Sequence, residues 1–442
     1  MTNGTSKQEK TEEKYTSGHT KLIFQLWSSY MTMMASRAVV TQGLAMAIQN
    51  KDLMTTSAFD TMSTYAQLAS TFAKLIGGTL ADYVGGKNTF TFVLGSYVLA
   101  ILAIARAKAT STIIFAWTCI LGAGALAWPS HAIISKPWVQ NLSPSDKQFS
   151  ISMLSTSSRS GAFLGSAIGA WLLTKLNNDW RRLSYITAFW CLGMSCLTYF
   201  NIVERNNGSG GKKNNATASI ISLKKDTERK TKGKKELSGG EILKIALGER
   251  KTWLVYLGSA LTFAPYCIAN GLPVILLEFF NMPSSQIGFV SGLFPLVMVP
   301  SVVIGGAILG RLDEYKKGVF NLITCGISGA AFLFLATKPR LSLVGPTLAV
   351  AAATMVTPFF MTPGNFCPVY GGKYAGTFTG LVDLPGNILT TITLALYPTM
   401  KRIGGYPLIF RVYALMMFGT AICEYEFHRL ESINPTVESP FD

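Results

Sequence analysis

Runs of about 20 apolar residues recur along this chain with short polar breaks between them, and nothing else in the sequence restricts the fold as much. A run of that length crosses the hydrocarbon core of a bilayer as an α-helix, which satisfies its own backbone hydrogen bonds where there is no water. Twelve such runs can be read, at 22–48, 57–80, 89–107, 112–135, 149–173, 183–203, 252–280, 286–309, 318–336, 341–362, 374–397 and 407–425. Charged residues make up 14% of the 442, against about a quarter in a soluble domain. Disorder is excluded by the 49% hydrophobic content. The net charge of +16 would suit a nucleic-acid binder, but 26 Phe and 8 Trp spread through apolar runs do not. The expected class is an all-α membrane protein with the lipid bilayer as its partner and no nucleic acid.

The polar stretches divide the chain. Residues 1–20 form a polar N-terminus, 21–203 a first six-helix bundle, 204–251 a linker, 252–427 a second six-helix bundle and 428–442 a tail. The linker carries 13 Lys and Arg against 6 Asp and Glu and reads as a flexible cytoplasmic segment. No cleavable signal peptide precedes the first run. The halves echo one another: Gly77–Asp82 closes the second run and Gly305–Arg311 the eighth. Six-helix halves of this kind are a transporter design, with the substrate held between them near the midplane. An even count puts both chain ends and the basic linker on one side, the cytoplasmic one by the linker's charge. The short loops point the other way, with seven Lys and Arg on that side and ten on the far side. The far-side excess reads either as attraction for anions or as contact with lipid headgroups.

Ionisable residues inside a span are costly, so each is a functional candidate. Arg37 sits near the middle of the first run, out of reach of either interface. Its planar fork suits a phosphate or a carboxylate; the other reading is an arginine packed on backbone carbonyls. Lys74 lies on a polar stripe with Gln67, Ser70, Thr71 and Gly78, at helical spacing. The stripe faces a cavity, unless Lys74 reaches the headgroups. Arg159 shares a face with Ser152, Ser155, Thr156 and Ser166 and lines the same cavity or pairs with Asp383. Asp383 in turn shares a face with Asn387 and Thr391. Asp383 and His131 are the candidates for a coupled proton, with core packing the alternative for His131. Glu278, Glu424 and Glu426 fall near span ends and are assigned to the interface.

No phosphate-binding loop, metal-ligand spacing or hydrolase motif occurs, so neither an enzyme nor a cofactor is expected. The seven cysteines are odd in number, lie in or beside apolar runs, and read as small buried residues.

Gly78-Thr79-Leu80-Ala81-Asp82-Tyr83-Val84-Gly85-Gly86-Lys87 resembles the signature loop of the major facilitator superfamily. Tyr83 and Gly86 stand where that family usually has basic residues. The resemblance implies twelve helices in two bundles, a cytoplasmic Asp82, and a gating role for Gly78, Asp82, Gly85 and Lys87. Within the superfamily, Arg37, Ala73–Gly78, Ala127–Ser130, Met153–Ser158 with Gly161 and Gly165, and Gly376-Thr377 resemble the organophosphate:phosphate antiporters. That family's seventh-span arginine has no counterpart in Pro265–Asn270. The anion:cation symporters are a close second, on Arg37 and Pro129-Ser130-His131. Read with these resemblances, the chain is expected to be a secondary transporter of a small anion, phosphate or an organophosphate. Arg37 and Lys74 would clamp the anion, and Ser70, Thr71, Ser155, Asn270 and Asn387 would add hydrogen bonds. The alternatives are a proton- or sodium-coupled organic-anion symporter and a membrane receptor that does not transport.

Overall fold

The computed structural model describes residues 5–139, 144–202, 241, 244–245, 247–371 and 375–436. The helices of the first half are α1 (Thr5–Gln49), α2 (Thr56–Val84), α3 (Gly86–Ala105), α4 (Thr110–Gly124), α5 (Ala127–Val139), α6 (Pro144–Lys175) and α7 (Trp180–Asn201). The second half has α8 (Arg250–Tyr266), a 3-10 turn (Cys267–Asn270), α9 (Leu272–Glu278), α10 (Ser284–Leu309), α11 (Glu314–Ala336), α12 (Leu341–Gly371) and α13 (Ala375–Ile433). α4 and α5 together make one crossing, and α8 to α9 another. α13 makes two, divided at Gly405, where a φ of 65° breaks the helical path. The expected twelve crossings in two sets of six are present. Nearly all of the linker lies outside the described residues, and α1 takes in most of the polar N-terminus.

Among the described residues eight stretches are long and apolar enough to cross a membrane by length and composition, Gly380–Ile433 being one of them. α1, α2 and α6 fall short. They carry Arg37, Lys74 and Arg159, and their polar stripes lower the very signal by which spans are recognised. Each half has its own buried core, centred on residues such as Leu26, Phe90 and Ile101 in the first and Phe294, Phe332 and Phe410 in the second. Large apolar side chains also face outward, among them Phe115, Phe189, Phe200, Ile403 and Leu415. That pattern suits a lipid solvent, in which the outer surface need not be polar.

The packing of α1 on α6 positions the site. Gly161, Gly165 and Gly169 form a stripe on α6 that meets Met31, Ala35 and Val39 of α1. A Cβ at Gly161 or Gly165 would lie 2.2 Å from the carbonyl oxygen of Met31 or Ala35. Small residues at four-residue spacing let two membrane helices touch backbone to backbone. Trp27 Nε1 also donates to Thr156 Oγ1 across this seam, at 3.1 Å. Arg37 and Arg159 are thereby brought to one wall.

The assignment of Glu424 to an interface is overturned. Its side chain is buried at 4% exposure and accepts hydrogen bonds from Asn321 Nδ2 (2.8 Å) and Thr362 Oγ1 (2.5 Å). Glu278 is likewise engaged, accepting from Thr56 and from Tyr406 Oη. Glu426 does fit a helix end, paired with Arg250 and Arg429.

Candidate functional site

The two polar stripes read separately in the sequence face each other across the halves. On α2 they are Gln67, Ser70, Thr71 and Lys74; on the first limb of α13 they are Asp383, Asn387 and Thr391. Gln67 Nε2 donates to Asn387 Oδ1 at 3.0 Å, and the Thr71 and Thr391 hydroxyls stand 3.5 Å apart. Lys74 Nζ lies 3.9 Å from Asp383 Oδ2 and 5.0 Å over the Phe263 ring. Asp383 therefore takes Lys74 as its partner. It was equally open in the sequence to Arg159. Asn387 is buried, and its Nδ2 donates to the Asp383 carbonyl at 2.7 Å. Ser70 is half-buried on the same face of α2.

Arg37 and Arg159 flank the opposite wall. The guanidinium of Arg159 sits 3.9 Å over the Phe360 ring and is almost fully buried. Tyr30 lies in electrostatic reach of both arginines, as Cys267 does of Arg37 and Lys74. Cys267 also lines a cavity between the halves, so Arg37 and Lys74 stand in electrostatic reach of it. Among the described residues the Arg37 Nε is buried without an acceptor, and no carboxylate lies within 4 Å of its guanidinium. An ionised group in that state is strongly unfavourable unless something else supplies the counter-charge.

Asn270 lines the same cavity as Cys267, with Phe59, Asp60, Ser63, Gln67 and Tyr397, toward the end of the bundle where α2 begins. His131 is buried at 1% exposure, edge-on to Phe90 at 4.3 Å and to Tyr30 at 5.1 Å. Neither of its ring nitrogens has a partner among the described residues. The side chains of Ser155 and Asp82, and Gly78, lie outside the described residues. Gly85 joins α2 to α3 with a φ of 93°, and Lys87 Nζ rests 5.1 Å over Tyr199. The neighbouring glycine, which stands in place of a basic residue, has a local cause. A Cβ at Gly86 would lie 2.8 Å from the Ser130 carbonyl oxygen of α5.

The sequence reading passed over one inter-bundle pair. Lys401 Nζ meets both oxygens of Asp60, at 3.0 and 2.8 Å, with Asp60 5% exposed. On α2 the stripe continues at three- and four-residue steps through Ser63 to Asp60, whereas Leu394 and Tyr397 stand between Thr391 and Lys401 and break it on α13. Further polar contacts between the halves lie at the same end: Ser284 with Gln49, Ser291 with Gln42, and Glu278 with Thr56. Gly288 and Gly292 of α10 seat against Phe163, Ser166 and Ala170 of α6. Among the described residues three of the ten basic residues assigned to the far side pair with a carboxylate, Lys401 with Asp60, Arg182 with Asp179 and Arg181 with Asp52, and Lys338 Nζ lies 5.4 Å over the Phe279 ring.

Residues 26–393 match the family described as Major Facilitator Superfamily. No curated protein sequence matches the chain. Several solved structures share its fold. A D-xylose-proton symporter aligns with a TM-score of 0.67 and 11% identity, over 92% of this chain and 98% of that one. A point mutant of the nucleoside transporter NupG aligns at 0.64 and 12% identity, over 92% and 99%. A bacterial homologue of the human lysosomal transporter Spinster, solved inward-facing and unoccupied, aligns at 0.64 and 15%, over 96% and 99%.

Proposed function

We propose that this chain, which belongs to the Major Facilitator Superfamily, carries a small anion, with phosphate or an organophosphate as its substrate. That it is an integral multi-pass membrane transporter and not an enzyme follows from the family and the fold. The anion is our reading of the site. The observation that carries it is Arg37, a cation deep in the first half with no counter-charge among the described residues. Lys74 has one, but the pair is half-exposed at 32% and 49%. An exposed pair is worth only about 0.2–1 kcal/mol, so a phosphate can displace Asp383 from Lys74. Arg37 and Lys74 then hold the anion from two walls. Arg159 adds positive potential through its seat on Phe360, Ser70 offers a hydroxyl donor, and Thr71 does so once its hydroxyl turns from the Gln67 carbonyl, to which it now donates at 2.9 Å. Rocking of the halves exposes the site alternately to the two sides. We place both chain ends and the basic linker in the cytoplasm.

Uptake of labelled inorganic phosphate into proteoliposomes, with and without phosphate or a sugar phosphate inside, tests this reading. Uptake that requires the internal anion supports exchange. The Arg37→Ala variant is expected to reach the membrane in normal amount and to transport nothing. Wild-type uptake by that variant removes the clamp.

A second reading keeps the site and replaces exchange by proton or sodium symport. One protein of this fold is a proton symporter, and Asp383 borders the cations of the cavity. Phosphate uptake that needs no internal anion and collapses with the ion gradient would select it.

A further inference from the structure

A buried polar network stands outside the central cavity, in the second half, near the face on which the chain ends. Its centre is Glu424 on the second limb of α13. Glu424 Oε2 accepts from Thr362 Oγ1 of α12 at 2.5 Å and from Asn321 Nδ2 of α11 at 2.8 Å. One turn on, His428 Nε2 lies 3.9 Å from the same oxygen and 3.3 Å from Asn321 Nδ2. The other ring nitrogen, Nδ1, is 2.8 Å from Glu314 Oε2, and Glu314 also receives Lys317 Nζ at 2.5 Å. Exposure falls along this line from 34% at Glu314 to 8% at His428 and 5% at Glu424. Further described neighbours of Glu424 are Cys423 beside it, Cys325 on α11 and, from α8, Gly258, 3.4 Å from Oε1 by its would-be Cβ. Among the described residues the charged and titratable groups facing Glu424 are therefore His428, Glu314 and Lys317, with the two thiols.

Asn321 shows what the network lacks. It is wholly buried, and its Oδ1 has no partner among the described residues. Leaving a buried acceptor unmatched costs free energy. Turning the amide over would put Oδ1 between Glu424 Oε2 and His428 Nε2, where it could only accept. That orientation needs a proton on the carboxyl and a proton on His428 Nε2. The present orientation needs neither. Each protonation state thus has its own amide orientation, and in the turned-over one Nδ2 takes the place where Oδ1 now has no partner among the described residues.

We propose that Glu424, with His428 and Asn321, is a proton-binding site supplied from the aqueous face through Glu314, and that its occupancy adjusts the position of α12 beside the substrate cavity. Two protons enter from the Glu314 side, one to His428 Nε2 and one to Glu424 Oε2, while Nδ1–H continues to donate to Glu314. The link to transport is Thr362. Its hydrogen bond ties Glu424 to α12, and the preceding turn of α12 carries Phe359, stacked on Tyr266, and Phe360, under Arg159. The proposal rests on the transporter reading and is independent of which anion is carried.

Infrared difference spectra of the full-length protein in lipid, recorded between acid and neutral pH with no substrate present, read the site directly. The wild type should show the carbonyl stretch of a protonated carboxylic acid that disappears as pH rises, and Glu424→Gln should lack it. The same band in both proteins overturns the site. Should Glu424→Gln fail to fold, His428→Asn replaces it: a shift in the pH at which the band titrates supports the relay, and an unchanged titration overturns it. Phosphate uptake by proteoliposomes at the same pH values reads the coupling. The ratio of acid to neutral uptake should depart from unity in the wild type and return to unity in Glu424→Gln. A band lost from the variant with an unchanged uptake ratio overturns the link to α12. Absence of phosphate uptake in both proteins counts against the anion assignment and leaves the spectroscopic test intact.

Discussion

An arginine held deep in a bundle with an unmatched Nε is the strongest statement any single residue makes about this protein. Lys74 makes a weaker one, because Asp383 is already beside it at 3.9 Å. If Asp383 holds the place of the substrate's charge between transport cycles, removing that charge should favour the anion. Asp383→Asn is expected to lower the KM for phosphate up to about fivefold, the equivalent of roughly 1 kcal/mol, and to slow turnover because nothing displaces the anion from Lys74. Initial uptake rates over a range of phosphate concentrations check this, and a raised KM would count against the exchange of partners. The sequence marked Arg37, Lys74, Arg159 and Asp383 as special because ionisable groups are rare inside spans. Which cation Asp383 takes was open until α2 and α13 were seen face to face. Glu424 was misplaced for a related reason. A position near the end of an apolar run says nothing about whether α8, α11 and α12 surround it.

Among the helices, α1 and α6 form the contact on which the site depends. The spacing of Gly161, Gly165 and Gly169 fixes how near they come, and nearness is what lets Arg37 and Arg159 share Tyr30. A valine at Gly165 would drive its Cβ into the Ala35 carbonyl, a backbone atom that cannot rotate aside. Overpacking of this kind costs about 1–3 kcal/mol, and contact with backbone places it at the upper end. Gly165→Val should lower the thermal midpoint of aggregation of the detergent-solubilised protein and abolish uptake, while Ile168→Ala on the outward face of α6, 37% exposed, should leave both near wild type. Equal stability of the two variants would mean that α1 does not need this approach. Gly161 and Gly165 were legible, as part of a family resemblance on the same helix; Gly169 was not singled out. The helix they pack against was not legible, since small residues on α6 fit a partner on any neighbouring span.

At the level of the whole molecule, the polar contacts between the halves gather toward the end where α2 begins. Asp60 with Lys401 is the most buried of the ion pairs there, at 5% and 18% exposure. Breaking a buried pair by removing one partner costs about 3–5 kcal/mol, and about 1.4 kcal/mol is a tenfold change in population. Asp60→Asn should therefore shift the protein by tenfold or more toward the state open at that end. Labelling of a cysteine at Ser63, which lines the cavity beside Asp60, should accelerate in that variant. Exchanging the two charges, as Asp60→Lys with Lys401→Asp, should slow it again. Labelling unaffected by either change would show that the pair does not hold this end closed.

The twelve crossings, their division into halves and the presence of cations at membrane depth were determined by the sequence alone. Each is a local property: the length and polarity of a run decide whether it enters lipid, and a charge within it is costly wherever the run ends up. The pairing of those charges belonged to the tertiary structure. Lys74 with Asp383, Asp60 with Lys401 and Glu424 with Asn321 join residues 309, 341 and 103 positions apart. Periodicity gives the face a residue occupies on its own helix. Which helix stands opposite, and at what height, depends on how close the backbones come and on which bundle end is closed. Those quantities arise only when both halves pack together.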